Sequence, residues 1–343
     1  MKIKLLFAWS VLALFFTGCE TSDTKVAGHK TYPYFGMLDR LDPGLDALIS
    51  PDAHLEKLAE GFTWSEGPVW MKRGGFLVFS DVPQNVVHKW TERDGISDYL
   101  KPSGYTGSVP RGGEPGSNGL TVDSQGRLTL CEHGDRRVAR LENDRTKTTL
   151  ADRYEGKRFN SPNDLCYKSN GDLYFTDPPY GLLGDNHDVG KELSFQGVYR
   201  LSKSGQLTLL TDKLTFPNGL AFSPDEKILY VAVSDPKLPY IWAFDVQSDG
   251  TIANGRKFFD ATKFVAQGLK GLPDGMKVDV RGNLFATGPG GVLIISPEGK
   301  HLGTISTGEP TANCAWGEDG SMLYITCNHW LARIQTRTRG KMP

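Results

Sequence analysis

From about residue 52 onward, short apolar runs alternate with polar turns, with the period of strands rather than helices. The clearest stretch follows Asn218: LAF, the turn SPDEK, then ILYVAV, YIWAFDV and a further strand near KFFD, a four-stranded meander. Six segments share this arrangement, each opening with a small residue or Pro, a carboxylate or amide, usually Gly, and then an apolar strand. They are Ser65-Glu66-Gly67, Ser117-Asn118-Gly119, Pro162-Asn163-Asp164, Pro217-Asn218-Gly219, Pro273-Asp274-Gly275 and Ala312-Asn313-Cys314. Subtracting the numbers of their polar residues gives spacings of 52, 45, 55, 56 and 39. A repeat of roughly forty to fifty residues is the length of one four-stranded propeller blade. The last unit supplies three strands, ending at HWLARIQTR, while an unassigned apolar segment, HLEKLAEGF, precedes the first anchor. Pairing the two completes the sixth blade and removes an exposed edge. The pattern therefore predicts an all-β, six-bladed β-propeller over residues 52–343, closed by an N-terminal strand.

The beginning of the chain follows another pattern. Lys2 and Lys4 precede an apolar run from Leu5 to Phe16 that is too short to span a bilayer, and Thr17 and Gly18 lead into Cys19. Residues 1–18 read as a signal peptide. Phe16-Thr17-Gly18-Cys19 resembles a bacterial lipobox, with Phe16 where an aliphatic residue is usual, and residues 19–51 are expected to be a lipidated N-terminus and tether. The expectation is an exported, periplasm-facing lipoprotein that meets a bacterial membrane through its lipid anchor only.

Composition narrows the classes further. Gly 40 and Pro 20 in 343 residues imply many turns and disfavour a helical bundle. Lys+Arg 39 against Asp+Glu 40 leaves no basic stripe, so nucleic acid is not an expected partner. No CxxC or Cys/His zinc spacing occurs. Cys314 and Cys327 fall on consecutive predicted strands, where either a disulfide or two buried thiols would fit.

In a propeller the first strand of each blade lines the axial channel, so Glu66, Asn118, Asn163, Asn218, Asp274 and Asn313 should converge at one end of it. Two carboxylates and four amides are hard oxygen donors suited to Ca²⁺, and two buried carboxylates without a cation would repel each other. Single Asn-Gly and Asp-Gly pairs are ordinarily turn formers. Here they stand where a strand begins, and the first unit replaces the amide with Glu66 while keeping the Gly. Residues just after each second strand should reach the same face: Asp81, His133, Asp177, Asp235 and Asn328. His133 is suited to general-base work, whereas the aspartates also fit plain loop capping. The loops 101–117 and 178–196, rich in Gly and Pro, should wall the pocket.

The motifs Glu66-Gly67-Pro68-Val69-Trp70, Pro217-Asn218-Gly219-Leu220 and Pro273-Asp274-Gly275-Met276 resemble the signatures of the gluconolactonase and regucalcin (senescence marker protein) family, with more distant similarity to paraoxonases and squid-type diisopropylfluorophosphatase. The resemblance covers nearly all of the chain after residue 50. It implies a six-bladed propeller that holds a divalent ion, often calcium, and hydrolyses a sugar lactone such as gluconolactone to the aldonic acid. Carried over by position, the metal ligands are Glu66, Asn163, Asn218 and Asp274. Asp274 doubles as the catalytic base with His133 as a second catalytic candidate, and Asn118, Asn163 and Asp164 face substrate. Asp164 would also be the ligand of a second, deeper calcium of the paraoxonase kind. The family's Arg-x-Asn-Asp segment is interrupted here, since Ser161-Pro162 separates Arg158-Phe159-Asn160 from Asn163-Asp164. Two other functions remain open on the same residues: an arylesterase or phosphotriesterase, and a noncatalytic propeller that binds saccharide or protein.

Overall fold

A computed structural model describes residues 30–342; Cys19 and the expected signal peptide lie outside the described residues. Five four-stranded antiparallel meanders follow one another along the chain, and three further strands begin a sixth blade. Their first strands are Ser65–Met71, Ser117–Val122, Leu165–Tyr167, Pro217–Phe222, Met276–Val278 and Thr311–Gly317. These touch in sequence and the sixth touches the first, which closes a ring of six blades. Side chains on the first and second strands are almost all buried, and apolar clusters form between neighbouring blades, as where Val69, Val78 and Val87 pack against Leu120, Leu128 and Leu130.

The ring closes as the pattern predicts. Leu55–Glu60 pairs antiparallel with Trp330–Gln335, with Trp330 opposite Glu60 and Leu331 opposite Ala59, and so becomes the outer strand of the sixth blade. Arg333 fixes the join: its Nε donates to Glu56 at 2.6 Å and its Nη1 to Glu92 of the first blade at 2.7 Å.

The expectation of a tether through residue 51 is corrected. Tyr34–Phe35 adds a fifth strand to the closing blade beside Leu55–Glu60, and Met37–Arg40 adds a fifth strand to the blade before it, beside His301–Ser306. A short 3₁₀ turn at Pro43–Ala47 follows, capped by the Asp42 carboxylate on the Gly44 N–H at 2.8 Å. It drives Leu45, Leu48 and Ile49 into the cluster around Phe285, Ile305, Trp316 and Ile334. Three buried apolar residues within five positions suffice to dock this segment, which strand periodicity alone had left unassigned. Cys131, Cys166, Cys314 and Cys327 are free thiols, so the disulfide alternative for Cys314 and Cys327 does not hold. Among the described residues no helix is long and apolar enough to cross a membrane.

Because Leu45 is fully buried, Leu45→Ala should destabilise the propeller by about 2–5 kcal/mol in chemical denaturation, as truncations of buried leucines do. An unchanged midpoint would mean that the segment is not part of the folded unit.

Candidate active site

The six anchors owe their convergence to how closely neighbouring inner strands approach. A Cβ on Gly67 would lie 2.2 Å from the Asn118 carbonyl, one on Gly119 2.6 Å from that of Asn163, and one on Gly219 2.2 Å from that of Asp274. A Cβ on Gly275 would meet the Asn313 amide carbon at 1.9 Å. At these four anchors the following glycine is therefore the point where the next blade presses in, with its backbone at Gly67, Gly119 and Gly219 and with a side-chain amide at Gly275, and only a residue without a Cβ fits. Register also breaks at the anchors, between Glu66 and Val69, Ser117 and Leu120, Pro217 and Leu220, and Thr311 and Asn313. Such bulges re-aim side chains and are common beside active sites.

Hydroxyls stitch one blade to the next at the same level. Ser80 and Thr176 donate to the carbonyls of Asn118 and Asn218, each at 2.8 Å, and Thr287 donates to that of Ala312, also at 2.8 Å. The aspartates after the second strands then fix the approach to each anchor. Asp81 accepts the N–H groups of Thr63 and Trp64 at 3.0 and 3.1 Å, Asp177 those of Asn160 and Ser161 at 2.8 Å each, and Asp235 the Thr215 hydroxyl at 2.8 Å. They are loop caps, bonding groups two to three residues ahead of Glu66, Asn163 and Asn218.

Glu66, Asn118, Asn163, Asn218 and Asp274 line one cavity of about 520 Å³ at an end of the channel, together with Trp64, Glu114, Tyr180, Asp185, Ser234 and Thr311. Buried as they are, the Oδ1 atoms of Asn118 and Asn163 have no hydrogen-bond partner. Asn218 donates its Nδ2 to Ser234 Oγ at 2.9 Å, and Ser234 donates onward to the Pro273 carbonyl. That commits the amide nitrogen to the wall and leaves the oxygen for the cavity. Burial raises both the Glu66 and the Asp274 carboxyls well above the usual range, and neighbouring carboxylates raise them further: Asp164 beside Glu66, and Glu66 itself beside Asp274.

This donor set fits a hard divalent cation on its own chemistry: orphaned amide oxygens that water-exposed turns would not leave, and carboxylates that repel each other without a positive charge between them. Among the described residues no three His, Cys, Asp or Glu side chains form a metal-holding group by themselves, so the amides are needed to complete it.

A model of the SMP-30/Gluconolactonase/LRE-like region matches residues 64–329, the whole stretch from the first anchor to the last blade. The chain belongs to the SMP-30/gluconolactonase family. The gluconolactonase of Zymomonas mobilis is 45% identical over 318 residues, 89% of this chain and 87% of that protein. The structure of a gluconolactonase from Xanthomonas campestris matches with a TM-score of 0.78 at 34% identity, covering 90% of this chain and 98% of that one. Regucalcin from Agrobacterium tumefaciens, a calcium-binding protein, shares the fold, with a TM-score of 0.66 at 17% identity over 91% of this chain and 97% of its own.

Four residues weighed from the sequence, Asp164, Asn313, His133 and Arg158, are placed away from the cavity lining. Asp164 does not line the cavity: it stands where other blades have the tight glycine, and its Oδ2 accepts from Asn313 Nδ2 at 3.3 Å inside the channel. Asn313 is oriented by Lys277 Nζ at 3.2 Å and the Cys314 N–H at 2.9 Å, both donating to its Oδ1, so its Nδ2 faces Glu66 at 3.2 Å. It supports Glu66 rather than facing substrate. His133 also lies outside the cavity lining, fully buried behind Glu114. Arg158 turns away, donating to the Asp135 carbonyl at 3.0 Å. Conversely, Trp64, Glu114, Tyr180 and Ser234 line the cavity without having been singled out. Glu114 and Tyr180 come from the two long loops expected as walls, where no periodicity marks an individual side chain. Tyr180 stacks on Phe216 with ring centroids 5.8 Å apart, and its buried hydroxyl has no partner.

Gly219→Ala tests the close approach that places these groups. With a carbonyl 2.2 Å from the new Cβ, the strands must separate, so the melting temperature should fall by several degrees or more, as overpacking a tight contact costs about 1–3 kcal/mol. Thermal unfolding matching wild type would contradict the packing.

Proposed function

We propose that this protein is a divalent-cation-dependent lactonase that opens a sugar lactone such as gluconolactone to its aldonic acid. The observation that carries the reading is that Glu66, Asn163, Asn218 and Asp274 line one cavity, with unsatisfied amide oxygens on Asn118 and Asn163 and carboxylates that repel each other. The Zymomonas and Xanthomonas gluconolactonases support the substrate class. Glu66, Asn163, Asn218 and Asp274 would hold the cation, with calcium the favoured ion for an all-oxygen set. When bound, it supplies the positive charge that polarises a lactone carbonyl.

The chain's own residues do the rest. Asn118 offers an amide to substrate hydroxyl or carbonyl oxygens, and Tyr180 lines the same cavity as a further hydroxyl donor. Trp64 supplies an apolar wall, while Glu66 is held in place by its own Gly67 N–H and by Asn313. The proton of the attacking water must go to one of the cavity's carboxylates.

Purified protein tested against a panel of small lactones should lose turnover with chelator and recover it with Ca²⁺. Asn218→Ala removes one neutral ligand, so half-maximal activity should need at least about tenfold more Ca²⁺, the smallest loss expected from disturbing a ligand set. Excess ion should restore turnover. Chelator-resistant turnover would exclude the metal role, whereas turnover of aryl esters or phosphotriesters alone would transfer the same site to another substrate class.

We also propose that the chain is exported and acylated at Cys19, from the apolar run Leu5 to Phe16 and the Thr17-Gly18-Cys19 sequence that ends it. Mass spectrometry of the mature protein should find a lipid-modified Cys19 at its N-terminus, and Cys19→Ala should release it from membranes. An unmodified N-terminus at another residue would refute this.

A further inference from the structure

We propose that Glu114 is the proton acceptor of the hydrolysis and that His133 is the residue that aims it; the inference rests on the lactonase function proposed above. Neither the motifs nor the anchor repeat points to Glu114. It belongs to the loop entering the second blade and lines the same cavity as Glu66 and Asp274, with a third of its side chain exposed there. Glu66 and Asp274 are poorly suited to the task, because a carboxylate committed to a cation is a weak base.

His133 supplies the second observation. It is fully buried, and neither ring nitrogen has a hydrogen-bond partner. Among the described residues the one carboxylate close to the ring is Glu114, whose Oε2 lies 3.3 Å from His133 Nδ1. An imidazole with two unsatisfied nitrogens is a costly way to fill a core, and an apolar side chain would cost less. Sharing a proton with Glu114 is the local arrangement that satisfies Nδ1 and so relieves part of the penalty.

The backbone holds the pair together. His133 N–H donates to the Gly116 carbonyl and Gly134 N–H to that of Pro115, both at 3.1 Å, so the loop bearing Glu114 is bonded directly to the end of the strand bearing His133. Gly134 is confined there: a Cβ would fall 2.4 Å from Tyr105 Cβ and 2.5 Å from the Pro115 carbonyl. Arg111 ties the same loop across to the opposite wall through the carbonyls of Gly134 and Gly181. Gly181 in turn lies against the His133 side chain, where a Cβ would be 2.5 Å from that of the histidine. The imidazole is thus sealed between the two pocket loops, with Glu114 standing between it and the cavity. Tyr180 and Asp185 face Glu114 from the other loop, and Asp274 from the floor.

In this arrangement Glu114 takes a proton from water as the water's oxygen pair forms the new bond to the lactone carbonyl carbon. The ring C–O bond then breaks, its oxygen keeps the bonding pair, and Glu114 returns the proton to it. One water enters and one hydroxy acid leaves. His133 donates Nδ1–H to Glu114, which fixes the carboxylate's direction.

Glu114→Gln keeps the shape and removes the acceptor. Its kcat should fall about 10²- to 10⁴-fold, the span that general-base catalysis supplies. KM should stay within a fewfold, and Ca²⁺ affinity by calorimetry should be unchanged. His133→Leu should lower kcat with little change in KM, and His133→Gln, which restores an N–H donor, should recover part of it. In ¹⁵N spectra of the imidazoles, the His133 resonances should move in Glu114→Gln, a readout that needs no turnover and stands even if a leucine variant does not fold. Unchanged kcat in Glu114→Gln, a loss of Ca²⁺ binding in that variant, or a silent His133 signal would each overturn the pair. Wild-type protein that turns over no lactone at any metal concentration would instead overturn the lactonase reading, and the catalytic role of the pair with it.

Discussion

Everything at the site depends on six inner strands meeting around one axis at backbone contact. A carbonyl presses on the Cα of Gly67, of Gly119 and of Gly219, and the Asn313 amide presses on that of Gly275. The polar residue preceding each of these glycines has no room to turn outward and must project along the channel. Two positions break the glycine rule, and both are informative. Asp164 and Cys314 carry side chains where the others have none; Asp164 accepts from Asn313, and Cys314 spends its thiol on the Phe285 carbonyl at 3.4 Å. The middle of the channel is thereby occupied by bonded groups, which separate the anchor-lined cavity from a second open volume of about 750 Å³ at the other end of the inner strands, lined by Trp70, Val122, Tyr167, Phe222, Val278 and Trp316.

The same crowding accounts for the electrostatics. Glu66, Asp164 and Asp274 are brought within mutual influence by topology, and each is pushed upward, chiefly by burial. Lys277 offsets part of this through Asn313, whose amide stands between the ammonium and the two carboxylates Glu66 and Asp164. Such a cluster is costly for the empty fold and is the kind of cost that a bound cation relieves.

How much of this could be read beforehand followed from periodicity. The blades, their number and the closing strand were legible because strand alternation and a repeat of polar anchors both survive in a single sequence, and the convergence of Glu66, Asn118, Asn163, Asn218 and Asp274 followed from the repeat. Loop geometry did not. Glu114 and Tyr180 sit on segments whose path is set by single contacts, such as Arg111 to Gly134 and Gly181, which leave no pattern in spacing. His133 was visible as a residue at a strand end but not as one sealed behind a loop. The docking of Leu45 and Ile49 escaped notice because a single 3₁₀ turn among polar residues carries no period. Asn313 looked equivalent to the other anchors, and only the donors on its Oδ1 show which way its amide faces.

The closing strand has a consequence for how this chain reaches its final form. Leu55–Glu60 finds its partner in Trp330–Gln335, so a strand synthesised before the first blade is among the last to be satisfied. Every other blade is built from neighbours in sequence and can assemble as a local meander with a short loop entropy to overcome. The sixth cannot, and until it does the ring is an open arc with one raw edge at each end. Ring closure is therefore the long-range, slow commitment in an otherwise local fold, and it is also the step that sets the first and sixth anchors, Glu66 and Asn313, at hydrogen-bonding distance. An arc of five finished blades would have most of its core and no working centre.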